Sequence, residues 1–348
     1  MILDAESLEQ VPEVDVLLRG VRGTPEEEGF DTELFASVVE LKSGICTSAR
    51  EAAARLAELR RAAAAIAERH GLRLAAAGTH PLTDPETQPI VPKGRYLGFV
   101  EYAGVSARRQ GVNGLHVHVG MPSAGACLHA LEGILPWLPV VLAISANSPY
   151  LAGRQTGLAS NRAEILAQLP RSSAPPPFRS YSEWEAFVER LIRLELAEDY
   201  TTLWWDVRPH PRFGTLEVRM PDQPTALARS CAFVALIQAL CVTVLGAPAP
   251  DYDPAGRAIY QQNRWAALRF GPEARLVDAD RDHTATAAEL GEDLIRLVAP
   301  AATELGSAGL LAPLDPARAE GERQREVGRS DGLRAVCSDL VERSLASA

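Results

Sequence analysis

Six side chains on three short stretches could do chemistry together: His116, His118, Asp206, Arg208, Glu217 and Arg219. In Gly114-Leu-His-Val-His-Val-Gly120, strand alternation sends His116 and His118 to one face, about 7 Å apart at Cα. Leu115, Val117 and Val119 then point the other way, into a core. In Thr215-Leu-Glu-Val-Arg-Met220 the same alternation groups Thr215, Glu217 and Arg219 opposite Leu216, Val218 and Met220. Leu203-Trp-Trp-Asp-Val-Arg208 repeats it, with Asp206 and Arg208 on a shared face, and the connection 209–214 suits an antiparallel return. An antiparallel sheet often has one solvated face, where any one of these residues would be ordinary. Neither strand, however, has the Lys, Ser and Thr mixture of a simple wet face. Both are rich in metal ligands and phosphate binders, and together they describe a metal and phosphate site.

Elements that can position such a face are visible along the chain. Ser48 with Glu51 three residues on makes a capping box, and an apolar stripe through Ala52, Leu56, Leu59, Ala63 and Ile66 predicts a helix over 48–70 that stops at Gly71. Residues 72–77 read as a buried strand ending at Gly78-Thr79-His80-Pro81, where His80 is a turn residue. Helices are expected over 123–133, 135–146 and 225–245, and from a cap at Ser182 with Glu185. Residues 147–162 read as a loop whose glycines and arginines suit anions. Residues 170–180, with three consecutive prolines, read as a stiff loop or lid. Strands with helices inserted irregularly favour an α+β fold with an antiparallel sheet. Neither common glycine-rich phosphate loop is present, so a nucleotide would have to bind by another device.

Composition sets bounds. With 348 residues and 47% apolar content the chain can bury a large core, and 1–348 is expected to form a single domain. A formal charge of -10 argues against nucleic acid or an anionic membrane as the main partner, while leaving local arginines to hold a phosphate. Five cysteines without a CxxC pair suggest neither a disulfide framework nor a cysteine zinc site, and the first residues lack a signal-peptide pattern. The apolar runs 134–145 and 231–246 fall short of membrane spans and read as buried helices. The cytoplasm fits these features best.

Several segments, in order, carry a resemblance: Ala75-Ala-Ala-Gly-Thr-His-Pro81, Gly114-Leu-His-Val-His-Val-Gly120, Ser145-Ala-Asn-Ser-Pro149, Trp204-Trp-Asp-Val-Arg-Pro209 and Thr215-Leu-Glu-Val-Arg219. With Asn263-Arg-Trp265 and Arg323-Gln-Arg325, the chain resembles the type 2 glutamate–cysteine ligase family, the YbdK-like carboxylate–amine ligases, from about Glu33 onward. The resemblance implies a glutamine-synthetase-like fold: a curved antiparallel sheet with a concave active-site face and helices packed on the other face. It implies an ATP-dependent ligase that joins an amino acid, glutamate by preference, to an amine such as that of cysteine through an acyl phosphate. Carried over by position, it makes Glu40, His118 and Glu217 the ligands of Mg²⁺ or Mn²⁺. Arg219 and Glu217 become catalytic, and Arg219 and Arg208 hold ATP. Arg154 and Arg162 become substrate-binding residues.

The family's usual opening strand, Gly-x-Glu-Glu-Glu, has no counterpart in this chain; Glu26–Glu28 lies too near Glu40 and is followed by Gly29. Either the start has been placed late or part of the metal site is lacking; in the second case the unpaired sheet edge is expected to invite self-association into a homo-oligomer. Two other classes remain open at this point: a nucleotide- or metabolite-binding relative with little turnover, and a metal hydrolase. The hydrolase would need a second close histidine pair, and the seven histidines supply none.

Overall fold

The computed structural model describes residues 1–278 and 283–345. At its centre lies the helix Leu227–Leu245, apolar on almost every side. A helix of that kind has no solvent face to spare and must be surrounded. Ala49–Arg69, Ala124–Ile134 and Ala287–Glu304 pack around it, leaving Phe233, Leu236 and Leu240 at 1% exposure or less. The two apolar runs expected to be buried helices, 134–145 and 231–246, fall on largely buried helical elements, among them Leu138–Ser145 and Leu227–Leu245.

Against this helical mass lies a three-stranded antiparallel sheet, in the order Val117–Gly120, Thr215–Val218, Val207–His210. Val117, Val119, Val207, Leu216 and Val218 belong to the main core, which fixes the opposite face outward. The register sets His118 and Arg208 on either side of Glu217. A four-residue connection closes the hairpin, with Gly214 at φ +64 supplying the left-handed turn residue. The α+β reading with antiparallel pairing agrees with every strand ladder described. The other strands form two-stranded pairs, among them Ile2–Asp4 with Leu72–Leu74 and Phe30–Thr32 with Val39–Leu41.

Several local expectations need correction. The regular strand begins at Val207, so Asp206 and Arg208 do not share a face. The Asp206 carboxylate turns to Tyr260 and Arg264 on the helix Gly256–Phe270, while Arg208 turns to Glu217. The helix Tyr181–Arg193 is capped by Ser180, whose Oγ accepts the Glu183 N–H. Two overlapping Ser-x-x-Glu pairs exist there, and the chain uses the earlier one. Residues 147–162 are less irregular than a loop, containing the hairpin Tyr150–Leu151 with Arg154–Gln155 and the start of the helix Asn161–Ala167. The proline-rich stretch is the stiff loop of the two readings, packed down on its neighbours: Phe178 is buried against Trp205, Asp206 N–H donates to Ser173 O, and Arg257 bonds Pro175 O while gripping both Glu132 oxygens. The strand expected over 72–77 is regular only over Leu72–Leu74, while other expectations agree with the structure. Ser48 caps Ala49–Arg69, Gly71 ends it at φ +66, and His80 Nδ1 accepts the Leu82 and Thr83 N–H groups of a turn.

Candidate active site

The polar face of the sheet forms one wall of a recess of about 2070 Å³. Small-molecule pockets usually span about 300–1,000 Å³, so this one has room for more than one ligand at once. Glu33, Glu40, His116, His118, Arg208, Glu217 and Arg219 all line it.

Glu217 is the hub. Arg208 Nε lies 2.6 Å from its Oε2 and Arg219 Nη1 2.5 Å from its Oε1, while His116 Nδ1 and His118 Nε2 stand 3.9 and 4.0 Å from Oε1. Burial alone would raise this carboxyl, but Arg219 and then Arg208 override it and hold it well below the usual range. Each imidazole is about a third exposed, but desolvation on the wall of the recess shifts both below the ordinary histidine value, with the guanidiniums adding to the shift and Glu217 opposing it. The two arginines differ in what they have left to give. Arg208 spends Nε and Nη2 on Glu217 and Nη1 on the carbonyls of Thr201 and Leu203. Arg219 makes one side-chain bond, to Glu217, and none of its remaining nitrogens is both buried and unpaired. Its fork is therefore open to the recess.

A second charged group comes from the small hairpin Phe30–Thr32 with Val39–Leu41. Register sets Asp31 opposite Glu40, two carboxylates that repel unless something intervenes. Lys42 and Lys93 bond Asp31 and keep it ionised against the effect of burial. Glu40 has no such partner, and burial together with the Glu33 carboxylate pushes it up to about 7. Glu33 is raised as well, chiefly by burial, although its side chain is reachable by water; it faces the deep recess instead of open solvent. Glu33 accepts only the Leu34 N–H, and neither carboxyl has a salt-bridge partner among the described residues; carboxyls that resist ionisation in this way are suited to a divalent cation, which would supply the missing positive charge. Among the described residues, however, no set of three His, Cys, Asp or Glu side chains is placed to hold a metal. Glu40, His118 and Glu217 share the recess without forming a ligand set.

A further part of the wall is aromatic: Trp204 lies 5.3 Å from Phe99 and 6.4 Å from Tyr102, and Arg171 sits over both Trp204 and Tyr102. Arg154 is exposed on its hairpin and does not line the recess. Arg162 borders it but is only 2% exposed, with its guanidinium turned to backbone carbonyls. Glu33 and the aromatic wall were not singled out from the sequence. The signal for Glu33 was its spacing from Asp31, hidden because three-residue strands are too short to show alternation.

Comparison with known proteins agrees with this picture. The model of glutamate–cysteine ligase family 2 matches residues 3–331. A relative from Rubrobacter xylanophilus, provisionally named glutamate–cysteine ligase 2-3, is 38% identical over 345 residues, covering 98% of this chain and 94% of its own. Another from Herpetosiphon aurantiacus, provisionally named glutamate–cysteine ligase 2, is 34% identical over 324 residues, or 91% and 84% of the two chains. Among solved structures, a glutamate–cysteine ligase from Francisella tularensis in complex with AMP superposes with a TM-score of 0.70 at 13% identity, covering 99% of this chain and 86% of the other, a likeness of fold. The chain belongs to glutamate–cysteine ligase family 2.

Proposed function

We propose that this ligase works in the recess: a substrate carboxylate oxygen attacks the γ-phosphorus of ATP, ADP leaves, and an amine nitrogen then attacks the acyl carbon and expels phosphate. The single observation that carries the reading is Arg219, fixed by Glu217 yet open to a recess that also holds the Glu33 and Glu40 carboxyls. Phosphoryl transfer asks little covalent chemistry of a protein and much positioning and charge compensation. The free side of the Arg219 fork meets the oxygens on which charge develops, and Glu217 keeps that fork from rotating. Arg208 secures Glu217 and is too fully engaged to bind a phosphate itself.

Mg²⁺ or Mn²⁺, when bound, would offset charge on the phosphate oxygens. Glu40 and Glu33 would hold it; His118 and Glu217 would join only if Glu217 released an arginine. The acid is an amino acid of the glutamate kind and the amine one such as cysteine, as the relatives' names suggest. The separate hairpin Phe30–Thr32 with Val39–Leu41 lines the same recess as the three-stranded sheet, which supports the concave, glutamine-synthetase-like arrangement. Five free thiols suit the cytoplasm.

The test is ATP turnover across candidate acids and amines with Mg²⁺, with hydroxylamine added to trap an acyl phosphate as a hydroxamate. ADP, phosphate and amide in equal amounts are expected. Release of AMP and pyrophosphate, or no turnover with any pair, would overturn the proposal.

A further inference from the structure

Arg162 and the Asn263-Arg-Trp265 segment are not used by the mechanism above, yet both converge on Arg219. The Arg219 peptide is held on both sides: its N–H donates to Asp206 O at 2.8 Å, and its carbonyl accepts from Arg162 Nη2 at 2.9 Å. Arg162 Nη1 bonds the next carbonyl, of Met220, at 3.1 Å. Arg264 ties the two holders together, with Nε at 2.8 Å from the Asp206 carboxylate and Nη2 at 3.0 Å from Ala163 O, next to Arg162 in the chain. Behind Arg162 stands Asp222, 3.7 Å away and fully buried, itself anchored by Asn147 N–H and by the hydroxyls of Ser148 and Ser160. In front lies Gly114, where a Cβ would overlap the Arg162 guanidinium. Gly114 is two residues before His116, so the buried fork packs against the approach to one strand and bonds the carbonyls just past the end of another.

We propose that Arg162 is a positioning residue: with Asp206 and Arg264 it fixes the Arg219 peptide and so aims the guanidinium at the transferred phosphoryl group. This assignment rests on the ligase reading for its kinetic consequence and replaces the substrate-binding role expected from sequence. A flat fork that spans two successive carbonyls is a geometry lysine cannot reproduce. Misplacing a reacting group by about 1 Å costs on the order of a hundredfold in rate.

Steady-state kinetics of the full chain test the proposal. Arg162→Lys should lower kcat on the order of a hundredfold, with KM for MgATP and for the acid changed by no more than about threefold. Gly114→Ala, which removes no charged group, should shift kcat the same way by pushing the fork aside, and it serves as the test if the Arg162 variant does not fold. In Arg162→Ala, added guanidinium should recover part of kcat, a rescue that general destabilisation would not allow. A rise in KM for the acid with kcat kept would restore the substrate-binding role and overturn the proposal, as would wild-type kcat in Gly114→Ala. If the wild-type chain itself turns over no ATP, the ligase reading fails separately. A crystal structure of Gly114→Ala then decides, and Arg219 still seated on the Glu217 carboxylate would overturn the brace.

Discussion

At the scale of single residues, Arg219 and Glu40 behave in opposite ways, and each can be tested. Arg219→Lys keeps the charge but loses the fork that both grips Glu217 and faces the recess. Turnover should fall about a hundredfold or more, and unchanged turnover would remove Arg219 from the mechanism. Glu40 makes the pH test. Its carboxyl, raised from 4.5 to about 7, holds a proton in the folded chain at pH values where the unfolded chain has lost it. Stability therefore falls as pH rises from about 4.5 to about 7, and the loss persists above that. Glu40→Gln should raise Tm by a few degrees at pH 8, a gain that shrinks to nothing near pH 5. An equal gain at both pH values would mean that Glu40 is not strained. His116 and His118, both kept neutral, pull the other way, losing stability as pH falls, so the comparison must be between variant and wild type. The sequence brought out Glu217, Arg219 and both histidines because alternation is legible along a strand. It could not say that Arg208 and Arg162 are consumed by internal bonds, since their partners at Thr201, Leu203 and Met220 are backbone carbonyls, which no residue type announces.

At the scale of elements, what could be read beforehand followed the number of repeats in the pattern. The helices Ala49–Arg69 and Leu227–Leu245 offer many turns of signal and were placed within two residues of their bounds. The hairpin that carries Glu40 has three residues a side, too few to declare a period, and its partners were found only in three dimensions. The Ser180 cap was misplaced by two residues for a related reason, since two equivalent local signals compete and only packing chooses. Ser180→Ala should therefore cost about 1 kcal/mol in urea unfolding while Ser182→Ala costs little, and the reverse order would refute the observed cap. Phe233, fully buried on the central helix, is the largest side chain in that helix's packing. Its replacement by Ala should cost about 3–5 kcal/mol, and a loss below about 1 kcal/mol would mean the helix is not the hub of the core.

For the whole molecule, net charge and local charge point in different directions. The chain carries a formal -10, yet the Arg208 and Arg219 guanidiniums gather around Glu217 in one part of the recess while Glu33 and Glu40 line another. Mg²⁺ should therefore raise Tm by selective binding to the folded state, and more at pH 8 than at pH 6, where Glu40 keeps its proton. A pH-independent rise, or the same rise in Glu40→Gln, would place the cation elsewhere. The aromatic wall has its own consequence. Trp184 and Trp205 are sealed in the core, and Trp137, packed against the core, and the exposed Trp265 do not line the recess, whereas Trp204 is half-buried on the wall beneath Arg171. Its indole is an optical reporter set into the chamber: ligand admission should change its emission in intensity or colour, and Trp204→Phe should silence that change. Stopped-flow fluorescence could then time the filling of the recess apart from the bond-making that follows.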